Sequence, residues 1–224
     1  MIVLDNITKD YVLTKESIVK AVKGVSLEIQ RGEFVVVTGR SGSGKTTILN
    51  LMAGLTRPTS GRVLLDGVDL WSLSDKKQSW LRSQKFSFVF QFPSLIPTLT
   101  VMENIVLPVI FNKDHRNSDA ASQRAGELLK MVGLEEKRTV YPRQLSAGQQ
   151  QRIVIARALM NHPEVILADE PTSDLDEQTE GEIVDLFTQI HREEHVTIVM
   201  VTHTSQLAAY GTRSITMAMG EIVN

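Results

Sequence analysis

Gly39-Arg40-Ser41-Gly42-Ser43-Gly44-Lys45-Thr46 fits the phosphate-binding pattern G-x-x-x-x-G-K-[ST] without a mismatch. Its surroundings are those such a loop needs. Phe34-Val35-Val36-Val37-Thr38 precedes it, apolar and β-branched as a strand buried on both faces should be. After it, Ile48, Leu51, Met52 and Leu55 recur at helical spacing, which predicts a helix with one buried stripe from Thr46 onward. A Gly-rich turn feeding a helix N-terminus gathers free backbone N–H groups and the positive end of the helix dipole, and so makes an anion site. In such a cradle, running from Gly39 to Thr47, Lys45 reaches the β- and γ-phosphates of a nucleotide and the Thr46 hydroxyl binds magnesium. A plain Gly-rich turn with a surface lysine fits the same eight residues, so other positions must decide.

The 224 residues suffice for one large α/β domain or a domain with a smaller lobe, and 42% apolar content allows a sizeable core. Twenty-four Lys and Arg oppose 26 Asp and Glu for a formal charge of −2, without a long run of one sign, so no nucleic-acid surface is expected. The chain has no cysteine, which excludes disulfides and thiolate metal sites. Met1-Ile2-Val3-Leu4-Asp5 lacks the basic region and sustained apolar segment of a secretory signal, and a cytoplasmic chain is expected. The strongest apolar runs, Val165 to Ala168, Val196 to Val201 and Val106 to Phe111, fall short of the roughly 18 to 20 residues that span a bilayer. The chain is therefore expected to cross no membrane itself.

From Ile2 to about Val37, short alternating runs predict antiparallel strands, with Val25, Leu27 and Ile29 inward and Ser26, Glu28 and Gln30 outward. Tyr11 falls between the first two strands; it reads as a packing residue or, beside a nucleotide site, as a ring on which a base stacks. Val63 to Val68 returns to strand and turns at Asp66-Gly67. Another turn is expected near Ser74-Asp75, Trp71 and Trp80 flank a polar stretch, and Phe86 to Phe90 predicts a buried strand ending at Gln91. Two prolines then interrupt Phe92-Pro93-Ser94-Leu95-Ile96-Pro97-Thr98-Leu99-Thr100, which forbids a regular helix or central strand. Such an apolar loop is either tucked into a core or exposed for a partner.

The stretch from Val101 to about Met160 reads as mostly helical and suggests a helical lobe inserted into the α/β domain. Ala125, Leu128, Leu129 and Val132 mark one helix, stopped by Gly133, and the last helix starts near Ser146. The strand Val165 to Ala168, a helix with Ile183, Leu186, Phe187 and Ile190 on one face, and the strand Val196 to Thr202 form a parallel βαβ unit. The tail, Ser214 to Val223, reads as a hairpin turning at Gly220-Glu221.

Three polar groups thus fall at the ends of buried parallel strands: the phosphate loop after Thr38, the carboxylates Asp169 and Glu170, and His203. Ligands bind at the carboxyl ends of strands in an open α/β sheet. Asp169 is suited to hold magnesium through water, and Glu170 to polarise an attacking water; a helix N-cap is the other use of such a pair. His203 lies within reach of a γ-phosphate if its strand neighbours that of Asp169. Gln91, at the join between sheet and lobe, carries a neutral amide able to touch magnesium or water. Leu145-Ser146-Ala147-Gly148-Gln149 places a Ser and a Gly at a second helix N-terminus, another anion site. One nucleotide needs only one cradle from one chain, and the simplest use of the second is the nucleotide of another copy.

Together these segments resemble the ATP-binding subunit of ABC transporters. Gly39 to Thr46 is similar to the Walker A loop, Gln91 to the Q-loop, Leu145 to Gln149 to the signature motif, and Val165 to Glu170 to Walker B with its catalytic glutamate. Ser173 to Asp176 resembles the D-loop, His203 the switch histidine and Tyr11 the adenine-stacking aromatic. Phe88 to Gln91, Leu95 to Thr100 and Glu103-Asn104 further resemble the lipoprotein-release and macrolide-export subgroup. Ala147 in place of the first signature glycine, Asp174 in place of a small D-loop residue and Thr204 in place of Asp depart from the usual pattern.

The resemblance implies an α/β fold: a P-loop NTPase core with a mostly parallel sheet, an N-terminal antiparallel β subdomain, and a helical subdomain at about 91–160. It implies ATP and Mg2+ as ligands, with Thr46, Gln91 and Asp169 around the metal and Lys45, Gln91, Glu170 and His203 in catalysis. It also implies a head-to-tail dimer in which each ATP lies between one subunit's phosphate loop and the other's Ser146, Gly148 and Gln149. A separate permease would dock near Phe92 to Leu99, at the cytoplasmic face of a membrane. A membrane-docked mechanical switch without cargo is the alternative use of the same parts.

Overall fold

The computed structural model describes residues 1–14, 17–110 and 118–223. Two antiparallel 13-residue strands, β1 (Ile2–Thr14) and β2 (Ser17–Ile29), open the chain. There follow β3 (Phe34–Thr38), α1 (Lys45–Met52), β4 (Ser60–Leu65), β5 (Val68–Asp69), α2 (Asp75–Lys85) and β6 (Phe86–Val89). Three helices come next, α3 (Val101–Ile110), α4 (Ser118–Met131) and α5 (Ala147–Leu159). The chain closes with β7 (Val165–Asp169), α6 (Glu177–Glu194), β8 (Thr197–Thr202), β9 (Arg213–Ala218) and β10 (Glu221–Ile222).

The strands form two sheets, an antiparallel one ordered β2-β1-β4-β5 and a mixed one ordered β10-β9-β3-β8-β7-β6. In the second sheet β9, β3, β8, β7 and β6 run parallel, and only the final hairpin is antiparallel. Because strand side chains alternate faces, this sheet divides the apolar interior in two. Phe34, Val36, Ile166, Ala168, Ile198 and Met200 enter a core shared with the helices α3 to α6. Val35, Val37, Val165, Leu167, Val199 and Val201 enter another, shared with α1 and the antiparallel sheet. Burial on both faces is why these strands read as unbroken apolar runs. A fully buried side chain such as Phe187 or Leu128 contributes roughly 1.5–3 kcal/mol relative to exposure.

Several local expectations shift by a residue or an element. Tyr11 lies inside β1, paired with Val19, since the ladder continues through register shifts toward the hairpin end. The first helix after the phosphate loop stops at Met52 because Gly54 takes φ 62, leaving Leu55 outside the buried stripe and 48% exposed. Ser74-Asp75 starts a helix: Asp75 in the first turn and Arg82 and Lys85 in the last complement the dipole of α2. That helix buries only Gln78, so it lacks the apolar period that marks helices in sequence. The strand before Gln91 ends at Val89, and the exposed Phe90 ring stacks on Phe88 with centroids 5.6 Å apart. The final hairpin turns at Met219-Gly220, both at positive φ, one residue earlier than expected. The apolar run Val106 to Phe111 is helical through Ile110, and Phe111 lies outside the described residues.

At the end of the sheet away from the phosphate loop, four charges join four segments. Arg31 lies 2.9 Å from Asp66 and 2.7 Å from Glu164, and Lys85 lies 2.7 Å from Asp66 and 3.1 Å from Glu164. The Lys85 ammonium, then Arg31, hold the Asp66 carboxyl below its ordinary value. Among the described residues no helix is long and apolar enough to cross a membrane.

Candidate nucleotide site

The phosphate loop leaves the end of β3 and turns into α1 through Gly44, at φ 101. A Cβ there would run into the Ala21 carbonyl of β2, so the position requires glycine by backbone angle and by contact. Lys45 is only 4% exposed. Its Nζ donates to the Gly39 carbonyl at 2.8 Å and the Arg40 carbonyl at 3.2 Å, and lies 3.5 Å from Glu170 Oε1. The Thr46 hydroxyl donates to Asp169 Oδ1 at 2.9 Å. Burial, the largest cause, pushes the Asp169 carboxyl above its ordinary value, and the Thr46 hydroxyl opposes that shift.

Glu170 follows β7 in the left-handed region, at φ 46, a conformation costing roughly 1–2 kcal/mol for a residue with a Cβ. Its N–H is anchored on the Val201 carbonyl of β8 at 2.9 Å. The bend aims its carboxylate at two groups, Lys45 on Oε1 and His203 Nδ1 at 2.8 Å from Oε2. The parallel pairing of β7 with β8 brings Glu170 and His203 together, as the strand order requires.

A cavity of about 340 Å³ opens at the loop, lined by Tyr11, Ser41, Gly42, Gly44, Lys45, Thr46, Thr47 and Glu170 together with Val19, Lys20 and Ala21. The last three were not expected. Their signal was the hairpin pairing: once Tyr11 sits in β1, its partner Val19 and the following residues share its surroundings. Gly39, Arg40 and Ser43 line a second hollow, which shares Ser41 and Gly42 with the first and is completed by Thr216 to Met219. Gln91, half-buried after β6, does not line the nucleotide cavity.

Ser146, Gly148 and Gln149 do not line that cavity either. They form the first turn of α5, where Ser146 Oγ accepts from the Gln149 N–H at 3.2 Å and Gln149 Oε1 accepts from the Ser146 N–H at 3.1 Å. This reciprocal cap uses one lone pair of the serine oxygen and leaves its proton free to donate. The N–H groups of Ala147 and Gly148, at the helix start, have no intrahelical partners. The turn is thus a second donor cluster, built apart from the first.

The apolar loop after Gln91 is both tucked in and exposed. Leu95 is buried, and fully buried Asn104 receives the Ile96 N–H and donates to the Ile96 and Thr100 carbonyls. Arg157 of α5 donates to Ser94 O at 2.7 Å and Ser94 Oγ at 2.8 Å. Held from behind in this way, the loop presents Phe92, 68% exposed, and Ile96, 38% exposed.

The ABC transporter family profile matches residues 22–173. The chain is 45% identical over 224 residues to the uncharacterized ABC transporter ATP-binding protein MJ0796 of Methanocaldococcus jannaschii, covering 99% of this chain and 95% of that protein. A solved structure of MJ0796, described as the dimeric post-hydrolysis state bound to ADP and Pi, superposes with a TM-score of 0.90 at 43% identity, over 100% of this chain and 97% of that one. The lipoprotein-releasing system ATP-binding protein LolD 1 of Chlorobium chlorochromatii is 42% identical over 98% of this chain and 89% of its own length. The macrolide export ATP-binding/permease protein MacB of Rhodopirellula baltica is 43% identical over 98% of this chain, which spans 32% of it. With the family profile covering more than half the chain and relatives of this identity along its whole length, the chain belongs to the ABC transporter ATP-binding family.

Proposed function

We propose that this ABC ATPase is the ATP-hydrolysing subunit of a transporter, working as a head-to-tail pair that drives a permease on a separate polypeptide. The observation that carries the reading is Glu170, bent by its backbone to stand between Lys45 and His203 at the mouth of the phosphate loop.

In that reading, the backbone N–H groups from Gly39 to Thr47 bind the phosphates, and Lys45 turns from the Gly39 and Arg40 carbonyls to the β- and γ-phosphate oxygens. Tyr11, half-exposed at the cavity wall, offers its ring to the base. Glu170 accepts the proton of the attacking water, and His203 orients that carboxylate and contacts the γ-phosphate. The adjacent Thr46 hydroxyl and Asp169 carboxylate are hard oxygen donors of the kind magnesium takes along with phosphates and waters. Gln91 is assigned to the same metal environment. Mg2+ held there would neutralise phosphate charge.

Ser146, Gly148 and Gln149 complete the ATP site of the second copy. The free N–H groups and hydroxyl of the α5 cap suit a terminal phosphate, and the dimeric form described for MJ0796 supports the pairing. Hydrolysis removes the phosphate that bridges the two cradles, and the pair opens. Phe92 and Ile96, held outward on the braced loop, suit contact with a permease, and in this reading the chain sits peripherally at the cytoplasmic face of a membrane.

The test is affinity purification of the tagged chain from detergent-solubilised membranes of its source. Recovery of an integral membrane protein in fixed ratio with the chain is expected. Recovery of the chain free of membrane proteins, with all of it in the soluble fraction, would overturn the transporter reading.

A further inference from the structure

Gly148 has a helical backbone and is absent from the glycines at positive φ. No backbone angle therefore demands glycine there, and alanine would be the better helix former. What excludes a side chain is a neighbour: a Cβ built at Gly148 would run into Thr179 Cγ2 and come within 3.8 Å of Thr179 Cβ.

Thr179 is not free to move aside. It lies in the first turn of α6, where its N–H donates to Asp176 Oδ1 at 3.0 Å and its hydroxyl to Asp176 Oδ2 at 2.7 Å. Branching at Cβ already makes its χ1 stiff, and the two bonds select one rotamer. The methyl group is thereby fixed between a carboxylate and a glycine.

The carboxylate belongs to a braced segment. Asp176 caps α6 and ends the stretch that begins at Glu170. Within that stretch the Ser173 N–H donates to the Glu170 carbonyl at 3.3 Å and the Leu175 N–H to the Thr172 carbonyl at 3.0 Å. The Thr172 hydroxyl donates to Glu180 on α6 at 2.7 Å. These bonds and the contact with Gly148 connect the segment after Glu170 to Asp176, to the Thr179 methyl and to the first turn of α5.

We propose that Thr179 is a positioning residue: its methyl group, fixed by Asp176, sets the spacing between the segment that follows Glu170 and the Ser146 to Gly148 turn. Each chain then links the carboxylate at its own nucleotide to the cradle it offers its partner. The inference rests on the paired reading proposed above.

Turnover at saturating ATP and thermal midpoint are measured for Gly148→Ala alone and combined with Thr179→Ser or Thr179→Val. Gly148→Ala should lower kcat by about tenfold or more through misplacement of the turn. Thr179→Ser removes the methyl and keeps the hydroxyl, and should restore kcat to within about threefold of the parent. Thr179→Val keeps a branched side chain and should not restore it. A Gly148→Ala/Thr179→Ser chain that regains its midpoint but stays as slow as Gly148→Ala would overturn the proposal and leave the contact as packing only. A Gly148→Ala chain with parental kcat would overturn it as well. The paired reading is judged separately, by sedimentation of Glu170→Gln with ATP: a chain that stays monomeric counts against pairing, while the turnover series still decides the role of Thr179.

Discussion

His203 Nδ1 stands 2.8 Å from Glu170 Oε2, joining the ends of two neighbouring parallel strands across the mouth of the phosphate loop. The other Glu170 oxygen faces the Lys45 ammonium, so the carboxylate is oriented from both sides. Glu170→Gln keeps the shape and loses the basicity. We predict normal ATP binding and hydrolysis slower by roughly 100-fold to 10,000-fold, checked by nucleotide binding and phosphate release on the purified variant. Hydrolysis near the parental rate would remove Glu170 from the role of base.

Lys45 is the buried cation of the loop, and in the proposed reading its removal takes a charged donor from the phosphates. Lys45→Ala should weaken ATP binding by roughly tenfold to a hundredfold, the worth of one hydrogen bond to a charged group. Equilibrium titration with a fluorescent ATP analogue reads this directly, and unchanged affinity contradicts the placement of the phosphates.

The two donor clusters are predicted to act in trans. Ser146→Asp retains a good helix cap while setting a negative charge where the partner's phosphate would lie. Neither Lys45→Ala nor Ser146→Asp alone should hydrolyse ATP. An equal mixture should recover about a quarter of parental activity, since half the dimers are mixed and each has one intact site. A mixture as inactive as its components would argue against the shared site.

Acid should expose the four-charge cluster. Lys85 and Arg31 depress the Asp66 carboxyl below its ordinary value of 3.8. A depressed folded value means that this contribution to stability is present above the unfolded value and lost as pH falls through the folded one. Asp66→Asn should therefore destabilise the chain near neutrality by roughly 1 kcal/mol or less, since the pairs are partly solvated. The difference should begin to shrink below about pH 4, where aspartate protonates in the unfolded chain, and close as pH falls through the depressed folded value. Urea unfolding at pH 7 and pH 3 tests the sign; a gap that widens in acid contradicts it.

Phe92→Ser with Ile96→Ser should lose recovery of the chain with membranes. Both side chains are outward on a loop braced by Asn104 and Arg157, and surface changes of this kind usually shift stability by no more than about 0.5 kcal/mol. Flotation with source membranes reads the loss, and undiminished recovery sends the search for a docking face elsewhere.

Much of this was legible because the chemistry lies at strand ends, and strands buried on both faces announce themselves. Val35 to Val37, Ile166 to Ala168 and Ile198 to Val201 could be read from composition alone. That the phosphate loop, Asp169, Glu170 and His203 meet at the ends of these strands followed from position. The helix after Ser74 was illegible because it buries almost nothing. The contributions of Val19 and Lys20 depended on hairpin register, which the loose alternation near Tyr11 does not fix. The contact of Gly148 with Thr179 joins residues 31 positions apart in sequence through side-chain shape, and no periodicity encodes it.

The carbonyls of Gly39 and Arg40 grip the Lys45 ammonium. The loop thus orders its own cation: backbone oxygens five and six positions earlier in the chain hold the ammonium in one place. In the proposed reading, phosphates meet a side chain that folding has already ordered, which leaves less conformational entropy to lose at encounter.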